Sequence, residues 1–200
     1  MSPARYRGFL DESTAKRGSD RQEYLVCAAL FEEDECDRAR EGLRPLLLPG
    51  QIKLHWTDES HRRRRAIVEH ILALGPMSIV VSHLDARRNK VERYRRKTLE
   101  SVYHHLITHE VFDLTLECRS DSQDKSDRAH IVALQSQGLD RRLRIDHRRG
   151  GDEPLLWVAD AVLGAVNADH LGETSYLAIL RRTLLIEERT PDSWPDSWRG

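Results

Sequence analysis

One aspartate stands alone in an otherwise uncharged segment. Asp160 is the single charged residue between positions 154 and 166. Helical spacing places four uncharged residues beside it: Leu156, Trp157, Leu163 and Gly164. A carboxylate on such a stripe is costly unless a cation, a metal ion or strong hydrogen bonds accompany it. The sequence therefore predicts either a metal ligand or a buried salt bridge here, and the small Gly164 permits close approach of a strand or ligand.

A pair of adjacent carboxylates, Asp11 and Glu12, lies at the end of the first predicted strand. Because side chains alternate along a strand, Asp11 shares a face with Phe9, and Glu12 lies on the opposite face. Only one of them can point into a common site, and Asp11 is the favoured candidate. The competing interpretation is a turn in which both side chains hydrogen-bond their own loop.

Two further carboxylates lie at or near strand ends. Asp85 follows the predicted strand 77–84, and Glu117 lies on the polar face of the alternating strand 111–118. Such carboxylates suit Mg²⁺ or Mn²⁺, since these cations prefer oxygen ligands. Two ions about 3.5–4 Å apart can activate a water and stabilise the leaving oxygen of a phosphodiester. The alternative for each residue is a solvated carboxylate.

Several basic side chains are candidates for contact with a substrate. His55 precedes a predicted helix and could act as a general base or a phosphate contact, although a histidine satisfied within its loop is the commoner case. Lys53, Arg119 and Arg148 are further candidates for the substrate phosphate. The motifs of P-loop nucleotide hydrolases and serine hydrolases do not occur in the sequence.

The apolar pattern predicts alternating strands and helices. Strands are expected at 6–11, 24–31, 51–56, 77–84, 111–118 and 143–146, and helices at 33–47, 57–74, 89–109, 125–135 and 154–168. Residues 12–21 are expected to form a polar loop, and 176–186 fits a helix or a strand. A hairpin followed by alternating elements predicts an α/β fold, with a mixed sheet flanked by helices.

The composition indicates the broad class of protein. With 200 residues and 39% hydrophobic residues, we expect a single domain over 1–190 and a flexible tail over 191–200, where Pro-Asp-Ser-Trp occurs twice. The 32 basic and 33 acidic residues leave a net charge of −1, which argues against a strongly basic nucleic-acid-binding domain. Any contact with nucleic acid would have to come from local basic patches.

The expected location is the cytoplasm. The three cysteines form no CxxC pair and fit a reducing compartment. The first residues lack the apolar core of a signal peptide, and the longest apolar run has eight residues, too few to cross a bilayer. We therefore expect no membrane partner, and the oligomeric state is left open.

The order of these short motifs resembles a large microbial family of uncharacterised proteins that has an N-terminal Asp-Glu-Ser strand motif and is thought to have a ribonuclease H-like fold. Residues 9–13, Phe-Leu-Asp-Glu-Ser, resemble its opening strand. Residues 24–31, 53–55 and 114–119 are similar to later strands, and 155–165 to its closing helix with an Ala-Asp pair. Three positions depart from the pattern: Thr14, where glycine is usual, Trp157, where glutamine is usual, and Glu117, where aspartate is commoner.

The resemblance implies a mixed sheet of about five or six strands with the first strand central. It also implies that carboxylates from the first strand, a neighbouring strand and the last helix converge on Mg²⁺. Asp11 would be the ligand from the first strand and Asp160 the ligand from the last helix, and either Asp85 or Glu117 would be the ligand from the neighbouring strand. The implied function is a divalent-metal-dependent nuclease or phosphodiesterase acting on nucleic acid. The rival is a non-catalytic binding or assembly module with the same fold, in a mobile-element or defence system, which the near-neutral charge and the departures favour.

Overall fold

The computed structural model describes residues 5–86 and 91–194. The strands in this part of the chain are β1 (Tyr6–Arg17), β2 (Arg21–Glu32), β3 (Met77–Ala86), β4 (Asp113–Glu117), β5 (Arg144–Arg148) and β6 (Leu184–Arg189). The α-helices are α1 (Cys36–Leu43), α2 (His61–Leu74), α3 (Val91–Thr108), α4 (Asp121–Ser136), α5 (Leu156–His170) and α6 (Ser175–Leu180).

The strands form one mixed sheet of six strands in the order β5-β4-β1-β2-β3-β6. The first three strands pair in antiparallel fashion, and β4 and β5 continue the sheet in parallel on the other side of β1. β6 is parallel to β3 at the far edge. The central β1, with a parallel neighbour, confirms the predicted α/β fold class with a ribonuclease H-like mixed sheet.

Helices cover both faces of the sheet, as the unbroken apolar run 24–31 of β2 requires. On one face, Leu25 and Phe9 pack with α1, α2, α5 and α6. On the other face, Val26 and Leu10 pack with α3 and α4. We call these two halves the α5 layer and the α3 layer. A residue of β1 therefore belongs to one layer or the other according to whether its number is odd or even.

The predicted polar loop over 12–21 is wrong. β1 continues to Arg17, and the hairpin turn is confined to residues 18–20, where Gly18 has a φ of +69°. The polar residues of this half of β1 remain in the strand because their backbone pairs with β2 and their side chains bond residues of other elements. These bonds join Glu12 to Arg95, Ser13 to Asn167, and Arg17 to Glu23.

Two other segments differ from the sequence prediction. Residues 51–55 form no strand and lie over α5 as a loop that ends in a short 3₁₀ turn, Trp56–Asp58. The following helix begins at His61 with Ser60 as its N-cap, so it starts later than predicted. The ambiguous segment 176–186 contains both a helix and a strand, since α6 ends before β6 begins.

Residues 191–194, predicted to belong to a flexible tail, are hydrogen-bonded to β3. The backbone N–H of Thr190 donates to the Ser82 carbonyl, and that of Trp194 to the Leu84 carbonyl, each at 2.9 Å. The Ser193 hydroxyl oxygen accepts from the Leu84 N–H at 2.9 Å. Residues 195–200, with the second Pro-Asp-Ser-Trp copy, lie outside the described residues. Among the helices described, none is long and apolar enough to span a bilayer.

Candidate metal centre

Two of the predicted carboxylates lie where neighbouring parallel strands stop pairing. The ladder between β1 and β4 ends at Leu10 and Leu116, and Asp11 and Glu117 are the next residues of each strand. Leu10 and Leu116 face the α3 layer, so alternation turns both carboxylates towards the α5 layer. The crevice beyond the carboxyl ends of strands is the usual ligand site of open α/β sheets.

The third carboxylate comes from α5, which packs against β1. Asp160 is 21% exposed at its side chain, and its Oδ2 accepts the Trp56 backbone N–H at 2.7 Å. This approach requires a glycine one turn along α5, because a Cβ at Gly164 would lie 2.1 Å from the Trp56 ring. The close approach that Gly164 permits is therefore that of Trp56.

The three carboxylates and two basic side chains line one cleft of about 360 Å³. The Lys53 ammonium donates to Glu117 Oε1 at 2.6 Å, and His55 Nδ1 lies 3.5 Å from Asp160 Oδ2. We call this group the carboxylate cleft, and its members are Asp11, Lys53, His55, Glu117 and Asp160. Five sequence-predicted site residues thus lie together, although they come from four separate parts of the chain.

Negative charge is in excess in this cleft. Burial, with the charges of Asp160 and Glu117, raises the pKa of Asp11 to about 8, although the Glu12 N–H and Lys53 oppose the shift. Burial also raises the pKa of Asp160, against the Trp56 N–H and His55. Burial alone would lower the pKa of Lys53, but the bond to Glu117 and the nearby carboxylates raise it overall. A cation bound between these carboxyl groups would offset the excess negative charge and favour their ionised form.

We expect Asp11 to destabilise the metal-free protein increasingly as the pH rises. Folding raises its pKa from 3.8 to about 8, so the folded state keeps a proton that the unfolded chain releases in that interval. Stability from this group is complete below the lower value and is lost as the pH passes the upper one. In thermal unfolding with a chelator, Asp11→Asn should raise Tm relative to the parent near pH 9 by more than near pH 5. The same pH dependence in both proteins would contradict this expectation.

The structure does not bring Asp85 to the carboxylate cleft. It lies on β3, and β2 separates this strand from β1. Asp85 pairs in register with Gln22 of β2, and Gln22 pairs with Lys16 of β1. Lys16 lies five residues beyond Asp11, which is about 17 Å along an extended strand. The Asp85 Oδ1 accepts the N–H of Ala86 at 2.6 Å. Asp85 therefore lies outside the cleft, contrary to the sequence expectation, and Glu117 is the carboxylate that the neighbouring strand β4 brings beside Asp11.

The two arginines predicted to contact phosphate differ in position. Arg119 is paired with Asp127 of α4 at 3.2 Å, in the α3 layer. Its guanidinium is therefore engaged on the α3 side of the sheet, contrary to the sequence expectation, although the residue lines an adjoining pocket of about 230 Å³ together with Asp11 and Glu117. Arg148 stands opposite Glu117 in the register of β4 and β5, and its exposed guanidinium bonds Asp146 at 2.9 Å. It remains a candidate for contact with a phosphate at the edge of the cleft.

The other half of the acidic pair, Glu12, belongs to a separate network in the α3 layer. Arg95 of α3 bonds both oxygens of Glu12 at 2.6 Å and both oxygens of Asp127 at 2.5 and 2.9 Å. Hydrogen bonds from His147 and Arg95 lower the pKa of Asp127 to about 2, against the effect of its burial. Glu12 and Asp11 therefore lie on opposite faces of β1, as the alternation of the strand predicts.

Asp124, Asp127 and His147 offer ligand atoms within 4.8 Å of one another, a spacing compatible with a metal ion. However, Arg95 and Arg119 already contact Asp127. The positive charge that a metal ion would supply is thus provided by two guanidinium groups, and a cation there would meet their repulsion. We interpret this cluster as a buried ion-pair network that joins α3, α4, β1 and β5.

Sequence reasoning missed two residues that line the cleft. Asn167 lies seven residues after Asp160, a helical spacing that could have indicated it, and it bonds Ser13 at 3.1 Å and Arg17 at 2.6 Å. Arg64 lies over the Trp56 ring and donates to the Trp56 carbonyl at 3.0 Å. It belongs to a run of arginines on α2 in which no local feature distinguishes it.

Comparisons with known proteins give a weak likeness at the level of structure. No family model matches the sequence, and no curated protein matches it. A structure of the PCNA:RNase HII complex from Archaeoglobus fulgidus is 18% identical, with a TM-score of 0.42 over 86% of this chain and 77% of that chain. Bst-RNase HIII in complex with Mn²⁺ is 11% identical, with a TM-score of 0.36 over 90% of this chain and 54% of that chain. The fold is defined by the order and direction of the six strands.

Proposed function

We propose that this protein is a Mg²⁺- or Mn²⁺-dependent nuclease or related phosphodiesterase that hydrolyses phosphodiester bonds of nucleic acid in the cytoplasm. The observation that carries the proposal is the convergence of Asp11, Glu117 and Asp160 from β1, β4 and α5 on one cleft. Carboxylate oxygens are the donors that these hard cations prefer. The raised pKa of Asp11 is further support, because burial and the negative charges of Asp160 and Glu117 make its ionised form costly, and a divalent cation would offset that cost.

Each residue of the cleft has a role in this proposal. A divalent cation held by the three carboxylates would activate a water and stabilise charge on the leaving oxygen. His55, 45% exposed beside Asp160, would accept a proton from the attacking water. Lys53 has two N–H donors left after its bond to Glu117, and these would orient a phosphate oxygen. Arg148, at the edge of β5, would contact the nucleic-acid backbone.

The test is hydrolysis of labelled RNA, DNA and RNA–DNA hybrid with Mg²⁺ or Mn²⁺ by the parent, Asp11→Asn and Asp160→Asn. A metal site supplies several kcal/mol of transition-state stabilisation, so we expect each variant to lose at least ~100-fold in rate. Asp113→Asn is the matched control, because Asp113 lies at the opposite end of β4 and pairs with the exposed Arg5. Its rate should equal that of the parent.

Metal binding separates the nuclease from the non-catalytic module. Calorimetry should show Mn²⁺ binding to the parent and to Asp113→Asn, and its loss in Asp160→Asn. Parent-like cleavage by both cleft variants would remove Asp11 and Asp160 from the proposed roles. A parent protein that binds nucleic acid but neither binds Mn²⁺ nor cleaves any of the substrates would favour the binding or assembly module.

A further inference from the structure

The cleft contains a cation of its own among the carboxylates. The Lys53 ammonium donates to Glu117 at 2.6 Å and also interacts electrostatically with Asp11 and Asp160. Its side chain is 34% exposed and that of Glu117 is 24% exposed, so both are partly withdrawn from water. Lys53 thus stands among the same three carboxylates that would bind a divalent cation.

The Lys53 side chain is held in place by packing against Gly150. A Cβ at Gly150 would lie 2.7 Å from Glu117 Oε1 and 3.0 Å from Lys53 Cδ, so the bonded pair packs directly on this glycine. Gly150 is itself fixed, because its carbonyl accepts the Trp157 indole N–H at 2.6 Å. The loop that carries Lys53 is anchored three residues later by the bond from Trp56 to Asp160.

Charge counting indicates how many ions such a site can take. When ionised, the three carboxylates carry three negative charges, and Lys53 neutralises one of them. A single divalent cation neutralises the remaining two, whereas a second would leave the cleft with a net positive charge of two before substrate binds. At the short distances of a partly desolvated cleft, an excess of this kind is strongly unfavourable.

We propose that Lys53 takes the place of the second ion of a two-metal site: the lysine holds one oxygen of Glu117, and the cleft binds one divalent cation on Asp11, Asp160 and the remaining oxygen of Glu117. This inference rests on the proposed function, since it concerns the same carboxylates. It differs from a simple salt bridge in its consequence: removal of the ammonium frees the bonded oxygen of Glu117 as a further ligand and opens a place for another ion.

The experiment is a Mn²⁺ titration, followed by calorimetry and electron paramagnetic resonance, of the parent and Lys53→Met without substrate. We expect one Mn²⁺ per chain in the parent. In Lys53→Met we expect two ions with exchange-coupled spectra, because ions of a two-metal site lie about 3.5–4 Å apart. Lys125→Met, on an exposed position of α4, is the matched control and should bind one ion. Lys53→Gln provides a second variant if methionine disturbs folding.

Each outcome is decisive. Two coupled ions in the parent would overturn the inference while leaving the proposed nuclease intact, and this result needs no variant. A single ion in folded Lys53→Met and Lys53→Gln would also overturn it. The absence of any bound Mn²⁺ in the parent would overturn both the inference and the proposed metal-dependent function, so the two failures are distinguishable.

Discussion

Replacement of Arg95 by methionine is expected to lower the free energy of unfolding by ~3–5 kcal/mol, the range for breaking a buried ion pair by removal of one partner. The Arg95 side chain is 2% exposed and bonds Glu12 and Asp127, whose own side chains are 16% and 2% exposed. Methionine fills much of the volume but leaves both carboxylates without this guanidinium. Because most domains are stable by only about 5–15 kcal/mol, this change alone brings the protein close to unfolding.

Urea denaturation at neutral pH measures the effect. Arg96→Met is the matched control, because Arg96 is the next residue of α3, is 50% exposed and pairs with Glu92 on the surface. An exposed pair of this kind contributes about 0.3–0.5 kcal/mol. If Arg95→Met were no more destabilising than Arg96→Met, the interpretation of the Arg95 network as a buried ion-pair cluster would be wrong. Adding Asp127→Asn to Arg95→Met should cost less than the two single changes together, because the two residues share one interaction.

Replacement of Gly164 by alanine is expected to destabilise the protein by ~1–3 kcal/mol, the usual range for overpacking, and to weaken Mn²⁺ binding at the same time. The added Cβ would lie 2.1 Å from the Trp56 ring, so the ring and its backbone must move. The Trp56 N–H is a hydrogen-bond donor to Asp160, and its displacement would leave that partly buried carboxylate without this bond.

The control for this change is Gly42→Ala in α1. A Cβ there would lie 3.3 Å from the end of the Leu74 side chain, which can give way by a few tenths of an ångström. Alanine is favoured over glycine within a helix by about 0.8–1.0 kcal/mol, so the net effect at this position should be small. Equal unfolding free energies for Gly164→Ala and the parent would contradict the packing of Trp56 described here. An unchanged Mn²⁺ affinity would separate that packing from the metal site.

Local patterns are sufficient for most of the fold and for two of the three carboxylates in the cleft, Asp11 and Asp160. The alternation in β1 separated Asp11 from Glu12, and the apolar surroundings of Asp160 singled it out on α5. Such patterns report which face of an element is buried, and this information is contained in a few neighbouring residues. The choice between Asp85 and Glu117 lay beyond them, because it depends on which strand lies beside β1.

The errors have a common physical origin in partners distant in sequence. Residues 12–17 resemble a loop until folding brings Arg95 and Asn167 against them. Arg119 follows a strand end near Glu117 but pairs with Asp127, which Arg95 of α3 also binds. Tertiary contacts override local preference at such positions, and a single sequence contains no direct record of them.

The segment Thr190–Trp194 has a consequence for how chains of this protein meet one another. β6 covers β3 only as far as Ser82, beyond which the outer edge of β3 would present unpaired backbone groups. The bonds from Thr190 and Trp194 to Ser82 and Leu84 occupy that edge. Exposed strand edges are templates for sheet growth between molecules. This short segment thus protects the outer edge of β3 from pairing with another molecule, and a chain truncated before Thr190 would be prone to edge-to-edge association.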